Sequence, residues 1–197
     1  MGIPRFTHLQ TTFHNARLYH MNTVKIYQLN HLSKTQFQRL RAAQMEAAQV
    51  WNVCVEMHLA ARLDHAPWPG RSDLQKATKG RFALHSQSVQ MVVHAFLANI
   101  DTTRQLRQSH PKMQMKYPYK EKRFYPVHWP KQAVCREEKH VILPMGRGRP
   151  SLVLPLELPE TSGACTLAWN NGFELHVCVD IPQAVAAPGD VHATVDL

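Results

Sequence analysis

The spacing of apolar residues changes at Pro111, and this change restricts the possible folds more than any other feature of the chain. Before it, apolar side chains recur at three- and four-residue steps, from Phe37 to Leu59 and from Val89 to Leu106, which is typical of amphipathic helices. After it, prolines recur too closely for a long helix, at Pro118, Pro126 and Pro130. The chain therefore divides into a helical part and a part made of short strands.

The first helix has clear start and stop signals. Ser33 and Gln36 have the spacing of a capping box, which predicts that a helix begins directly after Ser33. The apolar face continues until Pro67, where we expect the helix to have ended. Trp51 lies on this face and is interpreted as a core residue rather than a base-stacking platform.

Two further helices are expected in this part. The shorter one is predicted to start from a cap at Ser72 or Asp73, to run through Lys79 and to stop at Gly80. The longer one is predicted to start near Ser86, because valines and larger apolar residues then recur at helical spacing. Together with the first helix they form a helical block.

The remaining segments favour strands. Residues 23–29 alternate apolar and polar side chains, and short strands are expected at residues 132–136, 140–143 and 151–158. The clearest hairpin joins residues 165–169 to residues 173–180 through Asn171 and Gly172, since Asn-Gly is a strong hairpin signal. We expect the first strand to pair with the later ones, which makes the helices an insertion in a β domain.

These elements predict an α+β fold, a small antiparallel β-barrel-like domain with an inserted helical block. The expected divisions of the chain are an irregular extension at residues 1–20, the first β strand at 21–32, the helical insert at 33–110 and the β domain with basic loops at 111–188. Residues 189–197 begin another strand.

A concentrated basic block lies between Arg104 and Arg149. It holds 12 of the 23 Lys and Arg residues and three acids, so its formal charge equals the +9 of the whole chain. After Arg149 the sequence has no Lys or Arg. A block of this kind attracts polyanions, because binding releases their counterions. The charge distribution therefore favours a nucleic-acid partner.

The centre of the basic block, from Tyr117 to Tyr125, interleaves four aromatic rings with three cations. Aromatic rings stack on unpaired bases, and each stacked base contributes about 1–3 kcal/mol. Tyr117, Tyr119 and Tyr125 are therefore candidate stacking residues; a solvated cationic surface over core aromatics is the alternative interpretation. The cations predicted to contact phosphate are Arg104, Arg107, Lys116, Lys120, Lys122, Arg123, Lys131, Arg147 and Arg149.

Other classes of protein are disfavoured. No apolar run approaches the ~20 residues that a membrane helix needs, so no membrane partner is expected. The four cysteines form no Cys-x-x-Cys pair, and the 13 histidines show no His-Glu-x-x-His spacing. A metal site built from histidines is therefore not expected, and a reduced cytoplasmic setting fits the scattered thiols.

Several segments, taken in order, also carry a family resemblance. They are the helix Leu84–Phe96, the segment Tyr117–Tyr125, the glycine-containing segment Met145–Leu158, the hairpin Trp169–Val179 and the terminal residues Ala193–Leu197 around Asp196. Together they resemble the N-terminal half of TnpB (OrfB) proteins, transposon-encoded RNA-guided DNA nucleases related to type V CRISPR effectors. The resemblance covers about residues 21–197. Tyr119 departs from it, because the family often has Arg and then Phe before the Lys.

The resemblance implies the end of the fold, the partners and a catalytic residue. Residues 33–110 would form a recognition insert, and residues 189–197 would open a RuvC-like (RNase H-like) nuclease domain in which Asp196 is a catalytic metal ligand. The family's other catalytic residues and its zinc-binding cysteines would lie past Leu197, so the chain would be truncated. The implied partners are a guide RNA from the transposon end and a target DNA, in a cytoplasmic, nucleoid-associated setting.

The resemblance also sets an expectation for the metal ion. Mg²⁺ is implied for the full-length protein, whereas no cofactor is expected for this chain alone. Two-metal phosphodiester hydrolysis needs several converging carboxylates, and Asp196 would supply a single one. The chain alone is therefore expected not to cut DNA.

Two other functions stay open from the sequence. One is a non-catalytic nucleic-acid-binding protein, such as a regulator of its own element, which needs no further residues. The other is an interaction module whose basic surface binds an acidic protein. Retention of RNA that is lost at high salt would separate both nucleic-acid readings from the interaction module.

Overall fold

The computed structural model describes residues 19–183 and has a mixed α+β architecture. A first strand, β1 (Tyr19–Gln28), precedes three helices, which are α1 (Lys34–Leu63), α2 (Arg71–Thr78) and α3 (Ser86–Ser109). The strands that follow are β2 (Val127–Trp129), β3 (Cys135–Glu137), β4 (His140–Leu143), β5 (Leu152–Leu154), β6 (Ser162–Trp169) and β7 (Phe173–Gln183). None of the helices in this part of the chain is long and apolar enough to cross a membrane.

Helix α1 begins at the capping box that the sequence predicts. The Ser33 hydroxyl accepts a hydrogen bond from the Gln36 N–H at 3.2 Å, and the Gln36 side chain accepts one from the Ser33 N–H at 2.9 Å. These bonds satisfy two of the donors that a helix start leaves free. The predicted start of the helix and the core position of Trp51, which is buried, are both confirmed.

Helix α2 starts slightly earlier than predicted. Its N-cap is Gly70, whose N–H donates to the Asp73 carboxylate at 2.9 Å, so the caps predicted at Ser72 and Asp73 are wrong. Asp73 acts instead from the first turn, where a carboxylate interacts favourably with the helix dipole. Gly80 follows the helix with a φ of +73°, and α3 begins at Ser86 as predicted.

The larger sheet has the strand order β1-β7-β6-β2, and all its pairs are antiparallel. The predicted hairpin is present, with Trp169 opposite Phe173. Asn171 in its turn has a φ of 54°, in the left-handed region that Asn tolerates. Strand β1 pairs with β7 along its whole length, from Tyr19 to Gln28, which confirms the predicted pairing of the first strand. In the sequence, the three helices are therefore inserted between strands that belong to one sheet.

The smaller sheet consists of β3, β4 and β5. Within residues 19–183 the two sheets are separate and neither closes on itself, so the predicted barrel-like domain is wrong. Prolines limit the length of two short strands, one in each sheet. Pro126 and Pro130 flank β2 of the larger sheet, and Pro155 follows β5 of the smaller one. A proline has no N–H with which to extend a sheet ladder. Three-residue strands cannot wrap around a barrel. The predicted RuvC-like end at residues 189–197 lies outside the described residues.

One apolar core joins the helices to both sheets. Trp129 of β2 lies at its centre, fully buried, and its indole N–H donates to the Pro144 carbonyl at 2.9 Å. Phe96 of α3 packs edge-on against Trp51 of α1, with ring centroids 5.1 Å apart. The helices and both sheets are therefore packed around one core.

Candidate nucleic-acid interface

A cleft of about 740 Å³ lies between α2, the start of α3 and the loop that follows β4. Among the residues that the structure describes, four cations line it and no Asp or Glu does. We call it the basic cleft; its cations are Lys76, Lys79, Arg147 and Arg149. The structure therefore brings together two arginines that the sequence predicts as phosphate contacts and two lysines that it does not.

A glycine sets the position of the loop that carries both arginines. Gly146 has a φ of +112°, and a Cβ at this residue would lie 1.8 Å from the Ala83 carbonyl oxygen. Only glycine permits this approach, since it has no Cβ and adopts positive φ without strain. The N–H of Arg147 then donates to the same Ala83 oxygen at 2.9 Å. This contact fixes the loop against the segment before α3 and places Arg147 at the cleft.

Glu46 of α1 fastens the same region from the other side. One of its carboxylate oxygens accepts hydrogen bonds from the N–H groups of Ala83 at 2.5 Å and Leu84 at 3.0 Å. The other oxygen pairs with the Arg149 guanidinium at 2.6 Å. Glu46 therefore neutralises one cation of the cleft while it holds the cleft wall in place.

The other three cations of the basic cleft carry no ion pair to the residues that the structure describes. Among residues 19–183, Lys and Arg side chains make two ion pairs, Arg149 with Glu46 and Arg104 with Asp101. Lys76, Lys79 and Arg147 are therefore uncompensated. Three like charges around one cavity raise its electrostatic potential and favour an anionic occupant.

The start of α3 adds donors to the cleft. Its N-cap residue, His85, makes no side-chain capping hydrogen bond, and His85 and Ser86 both line the cleft. The first N–H groups of a helix carry a partial positive charge and lack partners within the helix. Burial lowers the pKa of the His85 imidazole, so this ring is neutral at pH 7 and contributes hydrogen-bonding atoms rather than charge.

The segment Tyr117–Tyr125, in contrast, packs against the helices. Tyr125 stacks on Trp51 with ring centroids 4.7 Å apart, and its N–H donates to the Gln44 carbonyl at 3.0 Å. Tyr117 and Tyr119 stack on each other at 5.7 Å. Burial raises the pKa of the Tyr119 and Tyr125 hydroxyls. Each of the three tyrosines therefore has a protein ring stacked on one of its faces. Stacking of a base on any of them stays a prediction.

Arg104 and Arg107 lie at the end of α3 and are exposed. The Arg104 guanidinium lies 5.4 Å from the ring centroid of Trp68, and that of Arg107 lies 5.1 Å from the ring of Tyr117. Trp68 and Tyr117 pack edge-on at 5.0 Å. Cation–π contacts of this kind orient the two guanidinium groups. Arg104 also pairs with Asp101 at 3.3 Å, whereas Arg107 makes no ion pair with another described residue.

The remaining predicted cations are distributed along the segment rather than collected in one place. Lys122 is half-buried, and its ammonium lies 5.8 Å from the Trp51 ring. Asn52 holds its backbone with two hydrogen bonds, of 2.8 Å and 3.0 Å. Four other predicted cations are exposed: Lys116, Lys120, Arg123 and Lys131. The structure thus places the predicted phosphate contacts in several groups, of which the basic cleft is the most enclosed.

A second concave surface is apolar. This aromatic groove has a volume of about 540 Å³ and is lined by Phe37, Arg41, Gln44, Phe124, Tyr125, Pro126, Trp169 and Phe173. Phe124 and Trp169 expose 38% and 53% of their surface there, although aromatic rings of this size are usually buried more deeply. Of these residues, the sequence singled out Tyr125 alone for binding.

Two groups of contributing residues were therefore missed, and one of them had a signal. Lys76, Lys79 and Arg81 fall within six residues around Gly80. Closely spaced cations next to a flexible glycine are a pattern suited to phosphate contact. Phe37 and Trp169 had no comparable signal, because helix and hairpin periodicity explains both as packing residues.

The side chains that the structure describes include no cluster of metal ligands. Between residues 23 and 181, no group of three or more His, Cys, Asp or Glu side chains is arranged to hold a metal ion. Asp196, the metal ligand and catalytic residue implied by the resemblance, lies outside these residues. The carboxylates that the structure describes therefore do not fit a two-metal Mg²⁺ site.

No protein-family model matches this chain, and no curated protein sequence matches it.

Proposed function

We propose that this chain binds nucleic acid through the basic cleft and the cations around it. The observation that carries the proposal is the convergence of Lys76, Lys79 and Arg147 on one cavity without a neutralising acid among the described residues. Uncompensated cations in a concave site are costly to keep together unless an anion binds there. A sugar-phosphate backbone supplies such anions at regular spacing.

The shape of the site favours single-stranded or structured RNA over duplex DNA. The cleft is built from the eight-residue helix α2, the start of α3 and the loop after β4, and this loop supplies two of its four cations. Loops suit backbones of irregular shape and bases that are splayed out of a stack. Arg104 and Arg107 lie near the opposite end of α3 from the cleft and would form a separate contact.

In the finer form of this proposal, the chain is the guide-RNA and target-DNA recognition portion of a TnpB-like protein. The supporting features are the order of the five resembling segments and, in two of them, Tyr117–Tyr125 and Met145–Leu158, cations that make no ion pair with another described residue. The nuclease role of Asp196, with Mg²⁺, belongs to this finer form and to a longer protein.

Binding of labelled oligonucleotides tests the proposal. The full 197-residue chain is titrated into single-stranded RNA, duplex DNA of the same sequence and polyglutamate. We expect the tightest binding to the RNA and weakening of that binding with added salt. The triple variant Lys76→Ala, Lys79→Ala, Arg147→Ala is expected to bind RNA about tenfold more weakly.

A control of equal charge change separates the cleft from general electrostatics. Lys25, Lys34 and Lys139 are exposed and line neither concave surface, so their joint replacement by Ala is expected to reduce binding much less. Equal losses in the two triple variants would remove the cleft from the interface. A chain that bound no RNA and no DNA would contradict the whole proposal, and tight binding of polyglutamate instead would favour an acidic protein partner.

A second triple variant tests the segment that the sequence emphasised. Replacing Lys120, Lys122 and Arg123 by Ala is expected to weaken RNA binding and to reduce its dependence on salt. The variant would make fewer phosphate contacts, so its binding would release fewer counterions from the RNA. An unchanged salt dependence would exclude that segment from the interface.

A further inference from the structure

The aromatic groove combines features that core packing does not require. Three separate parts of the chain form it: the start of α1, the residues Phe124–Pro126 and the tip of the β6–β7 hairpin. Its lining is mainly apolar, with Arg41 and Gln44 as the polar members, and none of the described residues that line it is Asp or Glu. Phe37, Phe124 and Trp169 each leave more than a third of their surface exposed. Exposed aromatic surface of this kind marks a binding site more often than a structural element.

The rings at the hairpin tip form a rigid corner. Trp169 packs edge-on against Phe173 at 5.0 Å and against Phe37 at 6.0 Å. Phe173 is buried and anchors the group to the core. Perpendicular packing fixes each ring while it leaves part of the outer rings uncovered, so a planar group that enters the groove meets preformed aromatic walls.

Cations stand beside this apolar surface. The guanidinium groups of Arg41 and Arg123 each lie 5.6 Å from the centroid of the Phe124 ring. Neither makes an ion pair with another of the described residues. An apolar ligand alone would gain nothing from two free arginines, whereas a nucleotide presents a flat ring next to a phosphate.

A polar group at the base of the groove can read the edge of such a ring. Gln44 lines the groove and is 4% exposed. Its backbone carbonyl accepts from Tyr125, but its side-chain amide makes no hydrogen bond to the residues that the structure describes. This amide is not one of the fully buried polar groups that lack a partner among the described residues. It carries two donors and one acceptor oxygen, which match the polar edge of a base.

We propose that the aromatic groove binds one unstacked nucleobase of a single-stranded nucleic acid. The base lies against Phe124 and Trp169, the Gln44 amide contacts its edge, and Arg41 and Arg123 contact the adjoining phosphates. The inference rests on nucleic-acid binding as proposed above and assigns a base-recognition role to residues outside the basic cleft.

Two exposed rings allow a test with little effect on folding. The double variant Phe124→Ala, Trp169→Ala is compared with Val24→Ala, Ile26→Ala, which removes similarly exposed apolar side chains from β1. Cooperative urea unfolding confirms that both variants are folded. Binding is measured with single-stranded RNA and with inorganic polyphosphate, a polyanion that has no bases.

We expect the groove variant to bind RNA about tenfold more weakly, as loss of base stacking implies, and to bind polyphosphate as the unmodified chain does. The dependence of RNA binding on salt should not change. RNA that carries bromouracil is also expected to cross-link to Phe124 or Trp169 under ultraviolet light, as mapped by mass spectrometry.

The two proposals fail differently. If the unmodified chain binds RNA but the groove variant binds it equally well, or loses RNA and polyphosphate binding alike, the base-binding groove is overturned and nucleic-acid binding stands. If the unmodified chain binds no RNA at all, both proposals are overturned.

Discussion

Removing the carboxylate of Glu46 should lower the free energy of unfolding, because this group holds the wall of the basic cleft in place, and the structure allows us to estimate the loss. In Glu46→Ala, the N–H groups of Ala83 and Leu84 lose an acceptor that now lies 2.5 Å and 3.0 Å away. Leu84 is 3% exposed, and a buried donor without a partner costs about 1–3 kcal/mol. Ala83 is half-buried, so water replaces part of its bond.

The ion pair of Glu46 with Arg149 adds little to this cost. The Arg149 side chain is 37% exposed, and exposed pairs contribute about 0–1 kcal/mol. The expected loss in the free energy of unfolding is therefore about 2–4 kcal/mol in total. Urea unfolding followed by circular dichroism measures it, and the midpoint should fall by about 1–2 M.

Glu46→Gln is the matched control for this variant. Its amide oxygen still accepts from Ala83 and Leu84, while the charge opposite Arg149 is lost, so the expected destabilisation is about 1 kcal/mol. A free energy of unfolding for Glu46→Ala within about 0.5 kcal/mol of the unmodified chain would refute this reasoning. Equal losses in the two variants would show that charge, rather than hydrogen bonding to the loop, is what stabilises the wall.

Three further predictions concern the loop, the histidines and the thiols. Gly146→Ala should destabilise by about 2–4 kcal/mol, because its Cβ meets the Ala83 oxygen, whereas Gly148→Ala, with a φ of +68° and open space around it, should cost about 1 kcal/mol; similar melting temperatures for the two would contradict this. Burial lowers the pKa of four histidines below their ordinary 6.5 in the folded chain, namely His58, His85, His94 and His128. The unfolded chain then binds more protons, so the free energy of unfolding should fall as pH drops below about 6.5; a constant value would show that these rings are not desolvated. Burial raises the pKa of the Cys54 and Cys165 thiols to about 12, so a thiol reagent at pH 8 should modify the exposed Cys135 and Cys178 and reach the other two only after denaturation.

Local signals carried most of the secondary structure. The capping box at Ser33, the glycine after α2 and the Asn-Gly turn at Gly172 each depend on contacts within a few residues, and all three lie where the sequence places them. The predicted cap of α2 was wrong by two or three residues. Asp73 lies in the first turn and accepts a hydrogen bond from the N–H of Gly70, the actual N-cap. The prediction of a barrel-like domain was wrong because a barrel needs strands long enough to close, and prolines shorten several strands of this chain.

The candidate site was only partly predictable, because it depends on contacts between distant segments. Arg147 reaches the cleft through the close approach of Gly146 to Ala83, and no spacing in the sequence relates that loop to Lys76 and Lys79. The aromatic residues show the same limit. Periodicity cannot tell that Tyr125 stacks on Trp51 while the ring of Trp169 stays exposed, since tertiary packing decides which rings find protein partners.

The salt dependence of RNA binding tests the central claim most directly. The affinity for single-stranded RNA is measured over a range of salt concentrations for the unmodified chain, for the Lys76, Lys79 and Arg147 triple alanine variant and for the Lys25, Lys34 and Lys139 control. Three lost phosphate contacts should reduce the slope of log affinity against log salt by about 2. A reduced slope in the cleft variant, with the control unchanged, is the predicted result; the same slope in all three proteins would contradict a phosphate-binding cleft.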